Sequence, residues 1–115
     1  MEVQEEKLAR ALSASSRRHI LRLLVRDEKT VNEVAEAVGL SVSLASRHLK
    51  FLFDLGFLSV RKKSPYKYYS LKIPELKQLL ESYEKVIRKL WKWKKEKGGR
   101  ENLSYILTII VLGGH

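Results

Sequence analysis

The sequence predicts a mainly α-helical protein with a small β-hairpin, on two observations. Apolar residues recur at helical spacings of three and four through most of the 115 residues. After Gly56 the segment FLSVRKKSPYKYYSLK follows a strand-like pattern instead, with a turn expected at Ser64 and Pro65. A hydrophobic content of 44% is ordinary for a folded protein, and the length fits a single domain.

The first two helices are expected at the N-terminal end. Residues 2–12 fit a short helix with Leu8 on its apolar side. Ser15 or Ser16 can cap a second helix, RRHILRLLV, because a seryl oxygen accepts a hydrogen bond from the first helical turn. The polar residues 26–29 then interrupt the apolar pattern.

The strongest local pattern lies in residues 30–56. Thr30 and Glu33 match a capping box, in which each side chain accepts a hydrogen bond from a backbone N–H. The short helix that follows is expected to stop at Gly39, which adopts a left-handed conformation easily. Ser41 can cap a further helix, VSLASRHLKFLFDL. Two helices joined by a tight glycine turn are typical of a helix-turn-helix.

The second helix of this pair has two distinct faces. Ala45, Leu49 and Leu52 recur at spacings of four and three and are expected to face the core. The opposite face carries short hydroxyls and long cations, which suit contacts with bases and phosphates: Ser43, Ser46, Arg47 and Lys50. The pattern therefore predicts a helix that enters the major groove of DNA.

The net charge of +10 is concentrated in two consecutive segments. Residues 41–74 carry seven basic side chains against Asp54 alone, and residues 75–97 carry eight against four acidic ones. The cations of the predicted hairpin cluster near its tip: Arg61, Lys62, Lys63 and Lys67. This distribution predicts polyanion binding, because neutralising phosphates releases condensed counterions.

A long helix is expected from Pro74 to residue 97, since proline is tolerated at the first helical position. Its apolar residues follow alternating spacings of three and four, an a/d seam that predicts a dimer interface: Leu76, Leu79, Tyr83, Val86, Leu90 and Trp93. A ligand pocket that includes Trp91 is the alternative interpretation. The basic side chains late in this helix are either solvated or contact phosphates.

The predicted domain organisation has two parts. Residues 1–97 form the DNA-binding domain, with dimerisation helices at 2–12 and 74–97. Residues 98–115 form an apolar tail that is expected to pack on the dimer. The alternative is that the tail, at residues 103–112, serves protein interaction or peripheral membrane binding; it is too short to span a bilayer.

Composition excludes several classes of site. The chain contains no cysteine, so disulfides and thiolate metal sites are impossible. Its three histidines, His19, His48 and His115, share no metal-ligand spacing, and no nucleophile–base pair is present. We therefore expect no enzyme activity, metal or cofactor. The polar N-terminus lacks the features of a signal peptide, which predicts a cytoplasmic protein.

The segment TVNEVAEAVGLSVSLASRHLKFLFDLGFLSVRKKSPYKYYSLK resembles the ArsR-like winged-helix transcriptional regulators. The resemblance implies a homodimer joined by its N-terminal and C-terminal helices, with a recognition helix in the major groove and a wing beside the phosphate backbone. By position, the residues that match the family's groove-facing set are Ser43, Ser46, Arg47 and Lys50, and those that match its wing are Arg61, Lys62, Lys63 and Lys67. The predicted DNA contacts also include Ser41. Leu8 joins the seam of the long helix in the implied dimer interface.

The sequence departs from this family at its metal sites. Metal-sensing members carry a Cys-Val-Cys-type motif where this chain has residues 30–32, Thr-Val-Asn. A second common site uses Asp and His from the C-terminal helix, and residues 75–97 contain neither. The prediction is therefore a homodimeric, sequence-specific DNA-binding repressor that does not respond to metals through these sites. The alternative is a non-specific architectural DNA-binding protein.

Overall fold

The computed structural model describes residues 3–96. These residues form five helices and one antiparallel hairpin, which confirms the predicted fold class. In chain order the elements are α1 (Gln4–Leu12), α2 (Ser15–Arg26), α3 (Val31–Val38), α4 (Val42–Asp54), β1 (Leu58–Lys63), β2 (Tyr66–Leu71) and α5 (Glu75–Glu96). None of the described helices is both long and apolar enough to cross a membrane.

The chain divides into two compact units between Pro74 and Glu75. The first unit contains α1 to α4 and the hairpin, and the second begins with α5. The largest fully buried side chains of the first unit come from α2, α3, α4 and β1: Ile20, Leu21, Val34, Leu49, Leu52 and Leu58. The predicted domain boundary at residue 97 and the predicted tail lie outside the described residues.

The prediction that Ser15 or Ser16 caps α2 is wrong. The residue before the helix is Ala14, in an extended conformation with no side-chain cap, and Ser15 is already helical. The cause is the short connection to α1. Arg17 donates to the carbonyl oxygens of Arg10 and Ala11, and this holds the start of α2 against the end of α1. Ser13 remains outside α2, and its hydroxyl donates to the carbonyl oxygen of Arg10 at the end of α1 instead.

The capping of α3 is confirmed in detail. The backbone N–H of Thr30 donates to Glu33 Oε1 at 2.9 Å, and the backbone N–H of Glu33 donates to Thr30 Oγ1 at 3.2 Å. Gly39 ends the helix at a φ of 76°, in the left-handed region that side chains with a Cβ rarely adopt. These local interactions fix the tight turn before α4.

The position of α4 is set by its cap and its buried face. The N–H of Leu44 donates to Ser41 Oγ at 3.1 Å, as predicted. Ala45, Leu49 and Leu52 are each 0% exposed, which confirms the predicted core face. The helix packs against α2, α3 and β1.

The hairpin forms around Ser64 and Pro65, as predicted, and it is also bonded to the loop before α3. The N–H of Lys29 donates to the Tyr69 carbonyl at 3.0 Å, and the N–H of Tyr69 donates to the Lys29 carbonyl at 2.8 Å. This bridge adds a third short stretch of extended chain beside β2. It was not predicted.

Helix α5 begins at Glu75, directly after Pro74, and the described part extends to Glu96. Leu76 and Leu80 are buried near its N-terminal end. The predicted end of this helix, at residue 97, lies outside the described residues.

Candidate nucleic-acid interface

The outward face of α4 is a polar, exposed surface. Ser43, Ser46, Arg47 and Lys50 are all exposed, and the buried residues of the helix lie on its other side. Among the ion pairs of residues 3–96 none involves Arg47, and its exposed guanidinium carries five N–H donors. A guanidinium held in this way can make two parallel hydrogen bonds to one base edge.

Two of the predicted α4 contacts already have partners in the folded chain. Lys50 Nζ lies 2.8 Å from Asp54 Oδ2, one turn further along the helix, and this hydrogen bond raises the pKa of Lys50. The Ser41 oxygen caps α4, which leaves its O–H free to donate. Lys50 and Ser41 therefore already use part of their hydrogen-bonding capacity within the folded chain.

A cationic cluster that the sequence did not reveal lies against the back of α4. The guanidinium carbon atoms of Arg17 and Arg10 lie 4.7 and 5.3 Å from the centroid of the Phe51 ring. Burial lowers the pKa of His48, and the charges of Arg17 and Arg47 lower it further. The lowered pKa favours the neutral form of the His48 imidazole. The cluster connects α1 and α2 to α4.

The hairpin of β1 and β2, which we call the wing, carries a pair of lysines that face each other. Lys62 lies directly opposite Lys67 in the register of the hairpin, and both are exposed. Like charges that face each other across strands are destabilising. Within the part of the chain that the structure describes, no ion pair offsets this repulsion. A phosphate group is the kind of ligand that relieves it.

Arg61 has a different environment from the wing lysines. Its Nε and Nη2 donate to the two carboxylate oxygens of Glu28, and its guanidinium carbon lies 4.7 Å from the Tyr68 ring centroid. The hydrogen bond from Arg61 lowers the pKa of Glu28. Arg61 therefore fastens the wing to the loop before α3, beside the bridge at Lys29. Its predicted phosphate contact stays a prediction.

The first residue of α4 was not singled out from the sequence. Val42 is 52% exposed and lies next to Ser43 on the first helical turn. An exposed valine breaks no rule of helix patterning, so periodicity alone could not identify it. Its place directly after the capping residue Ser41 was the only available indication.

The predicted dimer residues form an apolar stripe along α5. Leu76 is buried and Tyr83 is half-buried, whereas Leu79, Val86, Leu90 and Trp93 are exposed by 38%, 55%, 58% and 59%. Leu8 is half-buried on α1. Four large apolar side chains along one exposed helix face are typical of an interaction surface. Their role in a dimer stays a prediction.

Among residues 3–96, no group of three or more histidines, aspartates or glutamates is placed to hold a metal ion. His19 and His48 are half-buried, and the position of His115 lies outside the described residues.

The helix-turn-helix region matches a known family. Residues 14–60 match the model described as bacterial regulatory protein, arsR family. The chain is 38% identical over 76 residues to a cadmium resistance transcriptional regulatory protein CadC homolog from Staphylococcus aureus, across 65% of this chain and 63% of that relative. It is 32% identical over 74 residues to the transcriptional activator HlyU from Vibrio cholerae, across 64% of this chain and 68% of that relative.

Solved structures show the same architecture. A homodimeric winged helix-turn-helix DNA-binding domain from Mycobacterium bovis, described as a possible ArsR-family transcriptional regulator, has a TM-score of 0.68 and 27% identity. That likeness covers 74% of this chain and 79% of the other. NolR from Sinorhizobium fredii has a TM-score of 0.67 and 29% identity over 72% of this chain and 83% of its own. The chain spans slightly less than two thirds of the Staphylococcus aureus relative, at 63%.

Proposed function

Because the chain belongs to the ArsR family of bacterial regulatory proteins, we propose that it is a homodimeric, sequence-specific repressor that binds double-stranded DNA. The observation that carries the proposal is the two-sided character of α4. Its buried face anchors the helix on α2, α3 and β1, and its outward face presents Ser43, Ser46 and Arg47. Proteins of this family regulate transcription and are not enzymes.

In the proposed complex each subunit places α4 in a major groove and the wing lysines beside the phosphates. Arg47 reads a base, Ser43 and Ser46 assist, and Lys50 contributes electrostatic affinity. A dimer that joins two such subunits through α5 reads two half-sites about one helical turn apart, roughly 34 Å. Selection of bound fragments from random DNA should therefore yield an inverted repeat with this spacing. Recovery of unrelated fragments with no shared motif would contradict the proposal.

We propose that the protein does not respond to a metal ion bound by thiolates. Two relatives are named for cadmium and mercury resistance. Thiolate ligands are what soft metals of this kind prefer, and the 115 residues contain no cysteine. The metal response in those names therefore does not extend to this chain through a cysteine site.

Replacing Arg47 with alanine is expected to weaken binding to the selected operator by about 1–3 kcal/mol for each half-site. The loss should be much smaller on scrambled DNA, because a base contact contributes only where the base matches. Fluorescence anisotropy on both DNA duplexes measures the two affinities. The matched control is Lys50→Ala, which should weaken both complexes equally. If the Arg47→Ala protein keeps its preference for the operator, Arg47 does not contact a base.

Replacing both Lys62 and Lys67 with alanine is expected to weaken binding to all DNA sequences alike. The slope of log affinity against log salt concentration is negative, and its magnitude should fall by about 0.9 for each phosphate that the protein no longer neutralises. Titrations between about 50 and 200 mM salt measure the slope. The double variant Lys77→Ala and Lys85→Ala, at two exposed positions on α5, is the control for removal of two positive charges. A slope as steep as that of the control would show that Lys62 and Lys67 do not touch phosphates.

A further inference from the structure

The first turn of α4 exposes an apolar side chain in the middle of a polar surface. Val42 is 52% exposed, and its neighbours on the outward side of the first two turns are Ser43, Ser46 and Arg47. The other exposed large apolar residue of α4 is Phe53, at the opposite end of the helix and 46% exposed. The N-terminal residues of a recognition helix are the ones that contact base edges. Val42 is therefore positioned to meet a base, and Phe53 is not.

No polar residue of α4 is of a type that recognises an A·T pair specifically. Arginine pairs best with guanine, and serine hydroxyls bond to several base edges with little discrimination. Asparagine and glutamine, which read adenine, do not occur in the α4 sequence VSLASRHLKFLFD. The thymine 5-methyl group is the apolar feature of the major groove, and it needs an apolar partner. Val42 is the exposed side chain that supplies one.

Local geometry favours this contact. The hydrogen bond from the Leu44 N–H to Ser41 Oγ fixes the first turn, on which Val42 is the first helical residue. Valine is branched at Cβ and has one strongly preferred rotamer in a helix, so its two methyl groups lose little freedom on contact. Ser46 lies one turn further along the same side, where it can bond to the adjacent base.

We propose that Val42 selects an A·T pair in each half-site by packing its methyl groups against the thymine 5-methyl group. This inference rests on the proposed function, because it requires α4 to enter the major groove of a preferred operator. It adds Val42 to Ser43, Ser46 and Arg47 as a residue that determines specificity, and it names the base pair that Val42 recognises.

Deoxyuridine substitution tests the contact, because uracil differs from thymine only by the missing methyl group. Each thymine of the selected operator is replaced in turn, in both half-sites together, and the affinity is measured. At one symmetric position the wild-type protein should bind about fourfold more weakly for each half-site, as expected for one buried methyl group. Val42→Ala should bind the thymine and uracil operators equally well at that position.

Two further variants make the result specific. Phe53→Ala truncates the other exposed apolar residue of α4 and should keep the full sensitivity to uracil. Val42→Thr retains one methyl group and should keep part of the sensitivity to uracil. This variant replaces Val42→Ala if thermal melting shows that the alanine protein is unfolded.

The outcomes separate the inference from the proposed function. Uracil sensitivity that disappears in Val42→Ala and persists in Phe53→Ala supports the inference. An operator that is bound specifically but is insensitive to uracil, or a sensitivity that persists in Val42→Ala, overturns the inference and leaves the proposed function standing. A wild-type protein that prefers no operator overturns the proposed function, and the inference with it.

Discussion

Replacing Leu49 with alanine is expected to lower the free energy of unfolding by about 2–5 kcal/mol. Leu49 is 0% exposed and lies in the centre of the face with which α4 packs against α2, α3 and β1. Truncation removes buried methyl groups and leaves a cavity that the neighbouring helices cannot fill completely. Total stabilities of small proteins are about 5–15 kcal/mol, so this loss is a large share of the whole.

Urea unfolding followed by circular dichroism measures the effect of Leu49→Ala. The matched control is Ser46→Ala, an exposed position less than one turn away, which should change the stability by less than about 0.5 kcal/mol. Affinity for DNA should fall with the folded population, because α4 presents Arg47 only when its inner face is packed. Equal stabilities for the two variants would mean that the inner face of α4 is not the core of the first unit.

Replacing Leu90 with glutamate is expected to dissociate the dimer. Leu90 is 58% exposed in the single chain and lies on the apolar stripe with Val86 and Trp93. In a dimer formed through this stripe, the substitution places a carboxylate in an apolar contact, where an unpaired charge is strongly unfavourable. Two copies of the change meet in each dimer, so we expect the dissociation constant to rise by at least about a hundredfold.

Sedimentation equilibrium distinguishes the dimer from the monomer. Gln78→Glu adds the same charge to α5 at an exposed position away from the stripe and should leave the dimer intact. Operator affinity should fall for Leu90→Glu, because a monomer engages only one half-site. A wild-type protein that is monomeric at micromolar concentration, or a Leu90→Glu protein that remains dimeric, would contradict the proposed dimer.

The features that the sequence predicted correctly depend on residues close together along the chain. The capping box at Thr30 and Glu33, the helix end at Gly39 and the cap at Ser41 are formed within four positions. The buried face of α4 follows from periodicity, because one side of a helix must cover the core. Such patterns are local, and they were sufficient to predict the helix-turn-helix and the wing.

The features that were missed depend on residues far apart in sequence. Arg61 and Glu28 are 33 positions apart, and the bridge between Lys29 and Tyr69 crosses a similar interval. The basic sequence of the wing predicted phosphate contacts for every cation, and only the folded chain distinguishes Arg61, which is bound to Glu28, from Lys62 and Lys67. A charge pattern gives the number of cations but not their partners.

The N-termini of α2 and α4 also show that local sequence does not determine every contact. Ser41 and Ser15 both precede an apolar helical segment, and only Ser41 is a cap. The difference arises because Arg17 ties α2 closely to α1, an interaction between a side chain and the end of another helix. The exposure of Val42 could not be predicted from the sequence either, because a valine at this position is also compatible with the core.

The ratio of affinities for operator and unrelated DNA tests the central claim most directly. Competition binding at physiological salt, with the selected operator labelled and random duplex as competitor, measures this ratio. A sequence-specific regulator should prefer its operator by at least about a thousandfold. A ratio near one, with affinity that depends only on salt, would contradict the account and identify the chain as a non-specific DNA-coating protein.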